Sequence, residues 1–500
     1  MGGALQALVR AVRMSAGLPG LWTAALAVVV QRLLHGAFHD APFAPYALAE
    51  WVVRKTPGPL ATYAIDHLGH RALPTFGYAF IAATLVLGFL VGRRPAWLLA
   101  AIAFALTLVA AYLDPLPHSV PWAFASAFVV ACTAFVAPLA LQRHVEPGAQ
   151  GTDWARRRLL AQGALGLIVI GVGGTAALRA GSRSTPTGPV RADQPAAIPA
   201  DPTFREVAGL SPRVTPRADH YVVDIDLEDP LISESDWRLT INGAVNRPQS
   251  LSLADLQAMA TKERLNNLSC ISNPVGGDLV SNSRWTGLPL DALLDMAQPS
   301  PQAVTLVAVA FDGYTEGIRL DEIRGKDALI AFGMNGELLP RSHGFPARLL
   351  FPNHYGMRNV KWLTRLELKT QDEEGYWARR GWDREAVVRT ESRFDTPRDG
   401  ATVQSPFVCG GIAWAGARRI QAVEVSPDGG QSWRAAELEV DLGPLSWRRW
   451  QVSLDLPPGR HSLAVRAVDG TGTRQDAVER PPHPSGASGH HRINVTVPGT

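Results

Sequence analysis

The sequence predicts a multi-domain chain: N-terminal transmembrane α-helices, then a mixed α+β domain, then an all-β sandwich of immunoglobulin type. Three observations carry this. Apolar runs long enough to cross a bilayer are confined to residues 1–180. Residues 204–390 mix short strand and helix signals without the regular alternation of a doubly wound sheet. From 391 to 500 helical periodicity disappears, and short alternating strands run into Gly and Asp turns. A chain of 500 residues also exceeds what one hydrophobic core organises.

A helical span needs about 20 predominantly apolar residues. Five runs qualify: Leu18–Leu34, Phe76–Gly92, Pro95–Leu113, Pro121–Leu141 and Leu159–Leu178, the first weakened by Gln31 and Arg32. Arg10, Arg13, Arg93, Arg94, Arg143 and Arg156–Arg158 fall on one side of these spans, while 114–120 holds no Lys or Arg. The positive-inside bias then puts the N-terminus in the cytoplasm and the C-terminal half outside it. Arg54, Lys55, Arg71, Arg179 and Arg183 run against the pattern. Arg156-Arg157-Arg158-Leu159-Leu160 fits both simple anchoring and a twin-arginine export signal. The expected location is the cytoplasmic membrane, multi-pass, with contact to lipid and with soluble domains on the extracytoplasmic side.

Chemistry is sparse in these spans. Spans two to five contain no histidine, so no haem is predicted; His35 and His39 at the end of span one, and His67 and His70 beyond it, read as interfacial. Cys132 reads as a small packing residue. Residues 181–203, rich in Pro, Gly, Ala and Ser, read as an extended tether.

In the soluble part, Trp237–Ile241 is a strand ending at the Asn242-Gly243 turn, and Ser252 caps a helix over Leu253–Met259. Leu290, Leu293, Leu294 and Ala297 form a helical stripe after Pro289. Val304–Phe311 is a buried strand, and Ala328–Met334 with Glu337–Leu339 is a hairpin about Asn335-Gly336. In the last domain, strands through Val423 and Val425 and through Leu463, Val465 and Ala467 end at Asp428-Gly429-Gly430 and Asp469-Gly470.

A net charge of +3 without a concentrated basic face argues against nucleic-acid binding. Three cysteines without a CxxC pair exclude c-type haem, iron–sulfur and zinc-ribbon spacings. Cys270 stands apart: a strand over Arg264–Leu268 delivers it to the Gly-rich loop Ile271–Asp278, where backbone can approach a large ligand and a thiolate suits a soft metal. On the residues alone a buried structural cysteine is the favoured reading.

The string Asn267-Leu268-Ser269-Cys270-Ile271-Ser272-Asn273-Pro274-Val275-Gly276-Gly277-Asp278, followed by Arg284-Trp285-Thr286-Gly287, resembles the molybdenum-binding loop of the sulfite oxidase family. Met334–Arg348, Val360–Leu363, and Val423–Ser426 with Asp428-Gly429-Gly430 and Trp433 extend the resemblance over 204–497 in consistent order. It implies a sulfite-oxidase-type molybdopterin domain and a dimerisation sandwich, hence a homodimer. It further implies molybdenum with one pterin, ligated by Cys270, with Asn273, His343, Arg348 and Lys361 on the cofactor. Trp285 is implied as a wall of the metal pocket, and Arg418 as the sandwich's contribution to the substrate site. This chain also departs from the family pattern. Apolar residues near Val222 and at Val275 stand where the family places arginines, and Trp382 stands for its active-site tyrosine. No cytochrome b5-like segment accompanies the core, so an external electron carrier is implied. The expected activity is oxygen-atom transfer on a small molecule, either oxidation of a sulfite-like anion or reduction of an S- or N-oxide. The competing expectation is a cofactor-free binding or scaffold protein that keeps the fold.

Overall fold

The computed structural model describes residues 2–38, 41–68, 71–91, 94–114, 120–143 and 187–499. The chain divides into two compact units. One comprises Met1–Thr56, His70–Ser184 and Ile225–Glu228; the other comprises Pro57–Gly69, Thr185–Asp224 and Asp229–Thr500.

The described helices of the first unit are Gly2–Ala37, Ala44–Lys55, Ala72–Val91, Ala96–Leu113 and Val120–Arg143. Ala72–Val91, Ala96–Leu113 and Val120–Ala137 are long and apolar enough to cross a membrane. The run Leu18–Leu34 lies inside the first helix. Its two polar interruptions have internal partners: Gln31 Nε2 donates to Thr107 Oγ1 at 2.8 Å, and Arg32 pairs with Glu228. His35 pairs with the same carboxylate and its Nδ1 meets the Ala41 carbonyl, so it is engaged by protein groups. Cys132, expected to pack, is exposed on its helix. The run Leu159–Leu178, Arg156–Arg158, His39 and His70 lie outside the described residues.

The second unit opens with the helix Gly58–Leu68, inside the stretch assigned from sequence to the membrane; a Cβ at Gly58 would lie 2.4 Å from the Arg380 carbonyl oxygen. Two five-stranded sheets then form the mixed domain. In spatial order the first runs Gln249–Leu251, Leu239–Gly243, Leu363–Lys369, Thr305–Ala310, Thr315–Arg319; its pairing of Leu239–Gly243 with Leu363–Lys369 is parallel and the others antiparallel. The second runs Lys262–Ser269, Val280–Pro289, Leu329–Met334, Glu337–Leu338, with Arg348–Leu350 also on Leu329–Met334. Leu239, Ile241, Leu306, Leu366 and Leu368 of the first sheet bury against Leu288, Ile330 and Phe332 of the second, with Leu290, Leu293 and Leu294 of the helix Leu290–Ala297 in the same core.

Local chemistry accounts for the predicted elements. Ser252 and Asp255 form a reciprocal capping box on Leu253–Gln257. Asn335 (φ 55°) and Gly336 (φ 85°) both take positive φ in the hairpin turn, a conformation Asn and Gly tolerate. The tether expectation for 181–203 gives way where the chain is described. Pro189 bridges to Glu337 and Gln194 to Lys262, Asp193 accepts from Thr261, and Val190 is buried in the core. Edge strands offer unpaired backbone groups, and this segment satisfies them.

The sandwich packs Glu391–Thr396, Phe407–Trp414, Arg448–Leu454 and Glu437–Leu438 against Ala401–Thr402, His491–Val497, Gly459–Asp469, Ile420–Ser426 and Arg434–Ala435. Phe394, Cys409, Val423, Val425, Trp450, Leu463 and Val465 fill its core. Cys409 is thus an unpaired packing residue, and burial pushes its thiol up to about 12.

Candidate active site

Ser269 pairs with Val280, so 270–279 is the loop joining two antiparallel strands, closed by the Cys270 N–H donating to the Leu279 carbonyl at 2.9 Å. Asn273 fastens it twice more. Its N–H donates to the Cys270 carbonyl at 3.1 Å, and its Oδ1 accepts from the Leu279 N–H at 2.9 Å. Gly276 (φ 74°) leans on the sandwich, where a Cβ would lie 2.4 Å from the His491 ring. Arg393 Nη1 donates to the Gly277 carbonyl at 2.7 Å. The loop that presents the cysteine is therefore held from both domains.

Cys270 is half-buried, with Sγ 3.1 Å from Ser272 Oγ. Burial raises its thiol pKa, partly opposed by Ser272 and nearby backbone N–H groups. Opposite it lies the 3₁₀ turn Gly356–Arg358: a Cβ at Gly356 would be 2.8 Å from the Tyr221 hydroxyl and 4.0 Å from Cys270 Cα. Tyr314 donates its hydroxyl to the Met357 carbonyl at 2.7 Å. Burial, and then neighbouring negative charge that includes Cys270, keeps both phenols protonated. Sequence reading assigned neither tyrosine a role.

A cationic pocket adjoins Tyr221. Arg348 is 4% exposed, and its Nη atoms donate to the His343 and Asn359 carbonyls at 3.0 and 3.1 Å, while Nε has no partner among the described residues. Its guanidinium lies 5.0 Å from the ring centre of Trp285, which is wholly buried and donates its Nε1–H to the Asn266 carbonyl at 3.1 Å. Burial pulls Arg348 down to about 10. His343 Nε2 meets the Arg217 carbonyl at 3.3 Å. Burial, then the neighbouring His220, Arg348 and Lys361, hold His343 neutral. Lys361 donates to the Ser342 carbonyl at 2.9 Å and pairs with Asp224. Gly344 (φ 103°) lets these elements meet, since a Cβ there would be 3.1 Å from Arg348 Cβ and from Lys361 Cα.

Cys270 with Asn273, and Arg348 with Trp285, His343 and Lys361, thus form two clusters, with Tyr221 near Cys270 and acted on by Arg348. Trp382 packs behind the cysteine loop, and Arg418 is engaged within the sandwich. Trp382 packs edge-on to Trp377 and His483, with ring centres 6.2 and 5.1 Å away, in a cluster that includes Ile271. Arg418 is tied to Asp469 at 3.0 Å and donates to the Val388 carbonyl at 2.9 Å and to Thr390 Oγ1 at 3.3 Å. Val222 is 43% exposed. His220, Tyr221, Arg217 and Asp224 were missed because 204–224 is irregular chain, with no periodicity to give its side chains a direction.

The donor set suits an anionic cofactor with a soft metal. The Cys270 thiol supplies the soft donor, and the buried atoms Arg348 Nε, His220 Nε2, Arg217 Nε and Asn273 Nδ2 have no hydrogen-bond partner among the described residues. Such groups are normally satisfied. Family comparison agrees. Residues 226–377 match the oxidoreductase molybdopterin binding domain, and 369–480 match the Mo-co oxidoreductase dimerisation domain. Fold and site together define a molybdopterin-binding oxidoreductase.

The chain is 32% identical over 323 residues to mitochondrial sulfite oxidase of Homo sapiens, covering 54% of this chain and 59% of that one. It is 27% identical over 325 residues to the NADH nitrate reductase of Solanum lycopersicum, covering 52% and 36%. The crystal structure of the sulfane dehydrogenase SoxCD from Paracoccus pantotrophus superposes with a TM-score of 0.50 at 24% identity, over 59% of this chain and 89% of that one, a likeness of fold. The chain belongs to the sulfite oxidase family of molybdopterin-dependent oxidoreductases. It spans only 59% of the human relative's length.

Proposed function

We propose that this chain is a membrane-anchored molybdenum oxidoreductase that transfers an oxygen atom to or from a small substrate outside the cytoplasm, passing electrons to or from an external carrier. The observation that carries the reading is the joining of a thiol on a doubly clamped loop to a buried, carboxylate-poor cationic pocket. Cys270 would hold the metal; burial keeps its thiol protonated in the protein alone, and coordination would displace that proton to solvent. Arg348, His343 and Lys361 would hold the single pterin and its phosphate, with Asn273 bracing the metal loop and Trp285 screening the pocket from water. When bound, the molybdenum supplies two-electron exchange and the oxygen atom. Tyr221, kept protonated near Cys270, would be the hydroxyl that steadies a substrate oxygen there.

The substrate is inferred from charge. A small dianion gains from converging guanidinium groups. Val222 and Val275 supply none, and Arg418 already serves Asp469. This favours a neutral or singly charged substrate such as a sulfoxide over sulfite. The sandwich would mediate a homodimer. The three apolar helices and the arginine pattern support anchoring with the soluble domains exported.

Metal and pterin analysis of the purified full-length protein tests the centre. Wild type should carry both, and Cys270→Ser should lose molybdenum while remaining folded. A wild type devoid of pterin would instead favour the cofactor-free alternative. Steady-state comparison of sulfite oxidation with sulfoxide reduction, using artificial carriers, tests the substrate. Efficient sulfite oxidation at a low Michaelis constant would overturn that part.

A further inference from the structure

We infer that His220 is a further cofactor-binding residue, whose open Nε2 donates a hydrogen bond to the phosphate of the molybdopterin. This rests on the molybdopterin reading above. His220 is 4% exposed. Its Nδ1 meets the Tyr221 carbonyl at 3.1 Å, so Nδ1 carries the proton and Nε2 is left as the free position. Nε2 is buried and has no partner among the described residues. The ring is held by edge contacts to Trp285 and His343, with centres 5.7 and 4.8 Å away, and it stacks on Tyr221 at 5.4 Å. Packing alone would be served by a phenyl ring of nearly the same shape. An imidazole with a fixed tautomer and one unmatched nitrogen is a costly way to fill a core.

The surroundings say what completes it. Arg348, whose Nε is likewise unmatched, and Lys361 both act on His220 as positive neighbours. Asp224 is the carboxylate paired with Lys361, while the hydrogen bonds of Arg348 among the described residues go to carbonyl oxygens. A pocket with more buried positive charge than its own carboxylates answer calls for an anion, and a phosphate accepts several donors at once. In the protein alone burial drives His220 down to about 3, so it is neutral. A dianion beside Nε2 reverses that balance: the ring takes up a second proton there and becomes a charged donor. The other groups facing it are His343, held neutral by burial, and the protonated phenol of Tyr221.

The test compares the full-length holoprotein with His220→Phe and His220→Gln. Pterin retained per chain is followed by the fluorescence of released, oxidised pterin, and molybdenum by metal analysis, during dialysis at pH 6 and pH 8. His220→Phe should release pterin roughly tenfold to a hundredfold faster. His220→Gln, which restores a neutral donor, should fall between. Wild-type release should quicken as pH rises and the second proton leaves, whereas His220→Phe should show no such dependence. Thermal melting of the cofactor-stripped proteins separates packing from binding, and the inference needs all three to melt alike. Equal retention by wild type and His220→Phe overturns it, as does a loss in both variants matched by lowered melting of the stripped proteins. A wild type without pterin overturns the molybdopterin reading itself.

Discussion

Two buried arginines in this molecule are treated in opposite ways. Arg449 in the sandwich is 2% exposed and reaches two carboxylates: Glu439 at 2.6 Å and Glu206 at 2.6 Å, with Glu439 also held by Arg213. Despite its burial, those partners raise its pKa. Arg348 in the pocket is just as buried, yet its partners are two carbonyl oxygens, and burial lowers its pKa. An arginine answered by its own chain is part of the scaffold. One left partly unanswered is stabilised by something the chain must acquire.

The largest expected effect breaks the paired site. Arg449→Met leaves Glu439 buried with only part of its counter-charge and should cost about 3–5 kcal/mol in chemical denaturation. Pterin per folded chain should hold at the wild-type level; a selective pterin loss would erase the contrast between the two sites.

Glu391 offers a third case, a buried acid whose only side-chain donor among the described residues is the Tyr355 hydroxyl at 3.1 Å. Burial pushes its carboxyl from 4.5 up to about 8. Its folded pKa is raised, so its contribution is fully present below about pH 4.5 and is lost as pH climbs through 8. Glu391→Gln should flatten the fall in melting temperature between pH 5 and pH 8, an effect on the order of a few kcal/mol. An unchanged profile would mean water reaches this carboxyl.

Gly344→Ala forces a Cβ into left-handed backbone against Arg348 and Lys361. About 1–2 kcal/mol of stability should go with it, together with part of the bound pterin. Loss of stability with full pterin would detach this turn from the pocket. Arg348→Met should move stability least, within about 1 kcal/mol in the cofactor-free protein, because no buried carboxylate is stranded. Its effect should fall on pterin content instead. A drop as large as that of Arg449→Met would show that Arg348, too, is scaffold.

Much of the fold could be read from sequence because local signals and burial agree. The capping box at Ser252 and Asp255, the Asn335-Gly336 turn and the stripe after Pro289 each specify their element within a few residues. The cysteine loop was legible for the same reason, its Asn and Gly residues meeting demands local to the turn. What escaped depends on partners far along the chain. Arg418 is fixed by Asp469, and Gln31 by Thr107, across separations that no periodicity reports. The stretch from 187 reads as a tether because Pro and Ala give no pattern, although Val190 is buried beside the sheet edge. His220 was silent for the same reason, in irregular chain whose directions tertiary contacts alone decide.

The clamp on the cysteine loop also sets an order of events during biosynthesis. Gly276 rests on His491, and Arg393 holds the Gly277 carbonyl, so the loop's final shape depends on a strand made more than two hundred residues after Cys270. A ribosome that has just finished the first soluble domain has produced the thiol but not its support. Lasting insertion of a cofactor must then wait until nearly all of this sequence has been synthesised and the sandwich has closed. Cutting the chain between the two soluble domains should cost the loop its shape as well as any dimer contact.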